Sequence, residues 1–214
     1  MFEALKEALL NGKAPIVIQE VKNELAKGVS AAQIVDDGLC AGMGELGELF
    51  KQGKKFVPHL LLAAKAMKES MAVLRPQLVA SGVKPVATAV IGTIKGDLHD
   101  IGKNLVGMML AGAGFQVVDA GIGVTSEKFV SLAKENGAKI IGISALLTTT
   151  MLNMKAVVEA VHASGIDAKV IIGGAPVTQA FADEIGADGY SPDAASAAQL
   201  ALRLVKESEA NATT

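Results

Sequence analysis

The stretch Val86-Ala87-Thr88-Ala89-Val90-Ile91-Gly92-Thr93-Ile94-Lys95-Gly96-Asp97-Leu98-His99-Asp100-Ile101-Gly102 decides how the chain is read. Val86 to Ile91 is a short apolar, β-rich run, the pattern of a strand buried on both faces. Thr93 to Gly102 then reads as a loop carrying carboxylates, an imidazole and glycines. The same alternation continues downstream. Val117-Val118, Ile140 to Ile143, Val170 to Ile172 and a weaker Gly189-Tyr190 read as further strands. Gly102 to Ala113, Ser126 to Asn136, Met151 to Ala163, Thr178 to Ile185 and Asp193 to Ser208 read as helices. Alternating apolar strands and helices predict an α/β domain with a parallel sheet covered on both faces. Five strands suit the flavodoxin-like (Rossmann-like) order 2-1-3-4-5.

Upstream the pattern is helical. Phe2 to Leu10 is a short helix ended by Asn11-Gly12, and Pro15 opens a second that Gly28 closes. Ser30 is placed to cap a third, from Ala31 to about Gln52. Pro58 opens a fourth, to about Ala80, with Leu60, Leu61, Ala64, Met67, Met71 and Leu74 at helical spacing. Four helices with short turns predict a four-helix bundle. Ser81-Gly82-Val83-Lys84-Pro85 reads as a linker, so the expected domains are 1–84 and 85–214.

The bulk numbers agree with two small domains. The chain has 214 residues, half of them apolar, but only 3% aromatic. A core of Ala, Val, Ile and Gly suits helices packed closely on a sheet. The formal net charge of −2 argues against nucleic acid as a partner, because phosphate binding needs a basic face. Lys51, Lys54 and Lys55 form a local basic run, read as a solvated turn. The lone Cys40 allows no internal disulfide and is expected to be a buried structural thiol. The mixed charges of Met1 to Glu7 do not read as a signal peptide. No apolar run is long enough to span a membrane. A cytoplasmic protein is expected.

In open parallel sheets ligands sit beyond the carboxyl ends of the strands, where strand order reverses. That point lies between strands 1 and 3. The loops after strands 1, 3 and 4 carry Thr93 to Gly102, Ser144 to Thr150, and Gly173-Gly174-Ala175-Pro176. In the predicted order these loops line one crevice. His99 can ligate a transition metal through one ring nitrogen. Asp97 or Asp100 can accept the other N–H and fix the tautomer. The glycines allow backbone to approach a bulky ligand. His59, His162 and Cys40 lie in unrelated segments, so no zinc site is predicted. A single protein ligand suits a metal whose other positions are filled by a macrocycle.

Asp97-x-His99-x-x-Gly102, Ser144-x-Leu146 and Gly173-Gly174 together resemble the three-part signature of cobalamin-binding domains. Gly47-Glu48-Leu49-Phe50, Gly53 and Phe56-Val57-Pro58 resemble the helical cap of methyl-carrying corrinoid proteins. These serve methanol, methylamine, betaine and aryl methyl ether methyltransferases, and the cobalamin domain of methionine synthase is a structural relative. The resemblance implies that His99 is the lower ligand of cobalt in methylcobalamin or a related corrinoid. It implies that Asp97 hydrogen-bonds His99 and that Thr150 extends the relay. Gly96, Leu98, Asp100, Ile101 and Gly102 belong to the same loop. Ser144, Leu146 and Thr148 are expected along the channel for the displaced nucleotide tail, with Gly173 and Gly174 giving it room. Ala194 matches a cofactor contact, and Phe50, Val57 and Leu60 match apolar residues over the upper face, with Gly82 and Pro85 at a hinge.

The implied function is methyl carriage. Cobalt(I) takes a methyl group from a methylated substrate through a partner methyltransferase, and the methyl passes to a second acceptor such as tetrahydrofolate or a thiol. The implied partners are a substrate-specific corrinoid methyltransferase, a second methyltransferase to pterin or thiol, and a reductive activating protein. The chain reads as a carrier subunit rather than an enzyme, with methylated amines or aryl methyl ethers as donors. A cobalamin-sensing regulatory module or a mutase small subunit are the alternatives. The first lacks its basic recognition helix here, and the second is expected with a barrel rather than a helical cap.

Overall fold

The computed structural model describes residues 2–82 and 84–212; Met1 and Val83, the latter in the expected linker, lie outside the described residues. The chain divides into two units, Met1–Pro85 with Ala111–Gly114, and Val86–Leu110 with Phe115–Thr214.

The first unit is a bundle of helices whose ends follow from local chemistry. Helix α1 (Glu3–Leu10) buries Leu5, Ala8 and Leu9. Helix α2 (Ala14–Ala26) starts with Pro15 in its first turn, where a missing N–H costs nothing. Ser30 caps the next helix by accepting the Gln33 N–H at 3.2 Å. That helix runs as α3 (Ala31–Gln33), a π-helical segment Ile34–Cys40, and α4 (Ala41–Lys51). Its buried residues come as adjacent pairs every four positions: Ile34-Val35, Gly38-Leu39, Gly42-Met43 and Leu46-Gly47. An α-helix turns once in 3.6 residues, so such a stripe would precess around it. The wider π turns take up the excess and keep the pairs on one face. Sequence reasoning predicted one regular helix here.

Helix α5 (Val57–Ala80) begins at Phe56, whose N–H donates to His59 Nδ1 at 3.1 Å. It buries Leu60, Ala63, Met67, Leu74 and Leu78, while Leu61 is exposed. Two of the three basic-run lysines are engaged. Lys51 pairs with Glu48, and Lys55 Nζ donates to the Leu10 carbonyl at 2.9 Å, closing the end of α1. Cys40 is half-buried; burial first, then the charge of Asp36, pushes its thiol up to about 12.

The second unit is a five-stranded parallel sheet: β1 (Thr88–Thr93), β2 (Gln116–Asp119), β3 (Ile140–Ser144), β4 (Lys169–Gly173) and β5 (Gly189–Ser191). The strand order is β2-β1-β3-β4-β5, as predicted. Helices α6 (Ile101–Gly112), α7 (Ser126–Asn136), α8 (Thr148–Met151), α9 (Met154–Ala163), α10 (Gln179–Ile185) and α11 (Ala194–Ala212) connect and follow the strands. Phe129, Ile141, Val158, Val170 and Ile172 lie in the main core cluster of this unit. Register pairs Thr93 with Ser144, Ser144 with Gly173, and Gly173 with Ser191. Four strands therefore end level, each in a small or hydroxyl residue. The expected helix Met151 to Ala163 is two helices. Asn153 sits at the break and donates from Nδ2 to the Lys95 carbonyl at 3.0 Å, tying it to the loop after β1. Among the described residues no helix is long and apolar enough to cross a membrane.

Candidate functional site

The carboxyl ends of β1 and β3 are stitched around one carboxylate. Asp97 is fully buried. Its Oδ1 accepts the His99 main-chain N–H at 3.0 Å and lies 2.7 Å from His99 Nδ1. Its Oδ2 accepts the Leu146 N–H at 2.8 Å, the Leu147 N–H at 3.3 Å and the Thr150 hydroxyl at 2.7 Å. Burial pushes this carboxyl up, but the donors from Leu146, Thr150 and His99 outweigh it and hold Asp97 well below the usual carboxylate range. An ionised carboxylate only accepts hydrogen bonds, so the proton of the neutral His99 ring sits on Nδ1. Nε2 is then a free lone pair on a half-exposed ring. The arrangement presents an oriented imidazole to whatever occupies the sheet edge.

Asp100 plays no part in this contact. Its carboxylate accepts from Asn104 Nδ2 at 3.1 Å, on α6, so Asp97 alone is the partner of His99. Thr150 stands where the relay requires a hydroxyl, buried on the short helix α8. Ser144 ends β3, 3.2 Å from the Thr93 hydroxyl. Leu146 and Thr148 are exposed, and Ala194 is buried at the start of α11. In the helical unit Leu60 is buried, while Phe50 and Val57 are half-buried.

The two glycines after β4 meet backbone rather than an open channel. A Cβ at Gly173 would lie 2.8 Å from the Ser191 carbonyl oxygen, and one at Gly174 only 1.9 Å from that of Ala145. Gly174 also has φ 124°, a conformation that L side chains rarely adopt. The room expected for a nucleotide tail is, at these Cβ positions, taken by neighbouring carbonyls. Gly174→Ala is expected to force the loops after β3 and β4 apart and to cost roughly 3 kcal/mol or more. Thermal melting of the unloaded protein reads it, and an unchanged midpoint would contradict the packing. Gly102 is the converse case, since a Cβ there would meet nothing within 4 Å. Neither packing nor backbone conformation demands glycine at that position.

Three site features escaped sequence reasoning. Thr93 is fully buried, and its hydroxyl donates to the His99 carbonyl at 3.0 Å. Lys103, on the buried side of α6, pairs with Asp119 at 2.5 Å. Asp119 also accepts the Gly121 N–H, and the Gly123 N–H donates to the Asp97 carbonyl, so the loop after β2 is fastened to the His99 loop. A lysine on an otherwise apolar helix face was the readable signal. Asn153 was hidden within a predicted helix.

The rim of the site is apolar and exposed: Leu98, Ile101, Ile122, Leu146, Leu147 and Leu152 are 43–74% accessible. They come from the loops after β1, β2 and β3, and they are half of the exposed large apolar side chains among the described residues. Contiguous exposed apolar surface marks a ligand or partner site. No group of three or more His, Cys, Asp or Glu among the described residues could hold a bare metal ion. A lone imidazole aimed outward from an apolar sheet edge therefore fits a metal carried in a large apolar macrocycle. The fold and this donor suit a protein that binds such a macrocyclic metal cofactor.

The comparisons with known proteins give the same class and narrow it. Two family models described as B12 binding domain match, one over residues 87–199 and the other over residues 1–75. Dimethylamine corrinoid protein 1 of Methanosarcina mazei is 44% identical over 209 residues, covering 96% of each chain. A cobalamin-binding protein from Desulfitobacterium hafniense superposes with a TM-score of 0.81 at 32% identity, covering 95% of this chain and 98% of that one. The methanol:cobalamin methyltransferase complex of Methanosarcina barkeri gives 0.83 at 29% identity, over 96% of this chain and 79% of that one. The chain belongs to the B12-binding corrinoid proteins, the methyl carriers of methyltransferase systems. Its cofactor is a corrinoid.

Proposed function

We propose that this protein is the corrinoid subunit of a methylamine-type methyltransferase system, with a methylated amine as the ultimate methyl donor. The observation that carries the reading is the free Nε2 of His99, held by a buried ionised Asp97 among exposed apolar side chains. The amine assignment rests on relatives over 40% identical that are named dimethylamine and trimethylamine corrinoid proteins.

When bound, the corrinoid supplies a cobalt centre that accepts a methyl group and passes it on. The chain supplies the control of that centre. His99 Nε2 would hold the cobalt. Asp97 fixes the ring, and Thr150 donates to the far oxygen of Asp97. The Asp97 carboxylate, 2.7 Å from Nδ1, would balance the charge of a proton held at Nε2. Gly96, Leu98, Ile101, Gly102, Leu146 and the segment around Ser144, Thr148, Gly173, Gly174 and Ala194 form the remaining cofactor wall. Asp100 supports that wall through Asn104 rather than through His99. Phe50, Val57 and Leu60, in the helical unit that matches a B12 binding domain model, would be further cofactor-binding residues. The partners are a substrate-specific methyltransferase, a second methyltransferase to a pterin or thiol, and a reductive activating protein. The compartment is the cytoplasm.

Anaerobic titration of the unloaded protein with methylcobalamin tests the reading. Saturable one-to-one binding is expected, with the change in visible absorption that follows exchange of the cofactor's own base for a protein imidazole. Absence of saturable binding overturns it. The donor is tested by supplying the loaded, reduced protein with methyltransferases of known specificity. Methylation from methanol or an aryl methyl ether, and not from a methylated amine, overturns the amine assignment alone.

A further inference from the structure

Thr93 is a buried hydroxyl that the relay of His99, Asp97 and Thr150 does not use. It ends β1 and is fully buried. It makes two side-chain contacts, to the His99 carbonyl at 3.0 Å and to Ser144 Oγ at 3.2 Å. A carbonyl can only accept, and a hydroxyl has one proton. Thr93 therefore donates to His99, and Ser144 is the donor to Thr93. The direction of the whole chain is fixed: Ser144 Oγ–H to Thr93 Oγ1–H to the His99 carbonyl.

This chain complements what Asp97 does. Asp97 holds the His99 ring and its main-chain N–H. Neither contact restrains the carbonyl side of the residue. His99 sits in a loop between Gly96, which has φ 87°, and Gly102, and its ring is half exposed. Among the described residues the Thr93 hydroxyl is the donor recorded to that carbonyl. The level strand ends of β1 and β3 are what bring Ser144 within reach of Thr93.

We propose that Thr93 is a positioning residue for the lower ligand. Its hydroxyl pins the main chain of His99 and couples it to Ser144, on the neighbouring strand. Asp97 sets the orientation of the imidazole, and Thr93 sets the height from which the ring reaches the metal. The inference rests on the corrinoid reading above and assigns a role to a residue outside its three-part motif.

Thr93→Val keeps the shape and removes the proton, while Thr93→Ser keeps the hydroxyl and removes the methyl. Each variant and the wild type are loaded with methylcobinamide, which has no nucleotide tail, so that any lower base must come from the protein. The visible spectrum then reports the fraction ligated by His99, and a separate titration reports affinity for methylcobalamin. Thr93→Val is expected to weaken ligation about tenfold, the lower end for loss of a group that supports a metal ligand, with a smaller effect on overall affinity. Thr93→Ser is expected to restore it. A Thr93→Val spectrum equal to the wild type's overturns the proposal, and so does a Thr93→Ser spectrum as defective as that of Thr93→Val. Should Thr93→Val fail to fold, Thr93→Ala takes its place with the same two outcomes. If the wild type itself shows no ligation by an imidazole although methylcobalamin binds, the assignment of His99 as the ligand fails instead, so the two failures are distinguishable.

Discussion

His99→Ala is expected to bind methylcobalamin on the order of 100-fold more weakly, the scale on which metal sites respond to lost ligand support. The bound fraction is expected to show the spectrum of a corrinoid without a lower imidazole. The reason is geometric. The His99 ring offers one unshared nitrogen lone pair, Nε2, and no cluster among the described residues could replace it. The variant itself should fold, because the ring is half exposed and the main-chain bonds of the loop survive. Absorption spectroscopy of the loaded variant checks this. A ligation-sensitive spectrum identical to the wild type's would remove His99 from the metal and the lower-ligand assignment with it.

Asp97→Asn carries the second large effect, and it falls first on stability. The two carboxylate oxygens face donors on both sides: the His99 N–H and ring at one, and Leu146, Leu147 and Thr150 at the other. An amide in the same place turns its own N–H₂ toward one of these sets whichever way it is flipped. The expected cost is about 3 kcal/mol, within the range for breaking a buried hydrogen-bonded charge. In a chain of this size that lowers the melting temperature by roughly 6–12 °C. The pH dependence has a definite sign. The folded Asp97 carboxyl lies below its ordinary value, so its stabilisation is present above the unfolded value of about 3.9 and is lost as pH falls towards the folded one. Asparagine does not titrate, so the gap between wild type and variant narrows in acid. Thermal melts of the unloaded proteins at neutral and acid pH measure it; equal midpoints at pH 7, or a gap that does not change with pH, would refute the account.

Much of this site was legible before any coordinates. The strand runs Ile140 to Ile143 and Val170 to Ile172 are apolar and β-branched because both sheet faces are covered, and that pattern marked the strands; their order was the flavodoxin-like one that five such strands suit, and it is the order observed. Strand order then brought the loops of His99 and Thr150 together. The resemblance named Asp97 as the partner of His99 and Thr150 as the next link of the relay, and both the His99–Asp97 and the Thr150–Asp97 bonds are present. The rest lay in register and close packing, which one-dimensional pattern does not carry. Thr93 reads as an ordinary strand-end residue until register sets it opposite Ser144. Gly174 reads as ligand space until the Ala145 carbonyl is found against it. The π segment came from a four-residue repeat that looks helical at a glance, and the break at Asn153 from a bond to a residue fifty-eight positions away.

The thiol of Cys40 gains significance from the cargo. A carrier of a transferable methyl group must not lose that group to its own side chains. Reactivity towards an electrophilic methyl belongs to the thiolate, and a thiol pushed up to about 12 is almost wholly protonated at neutral pH. Cys40 is the single cysteine of the chain. Kept protonated, it leaves the chain without a cysteine thiolate to compete for the cargo.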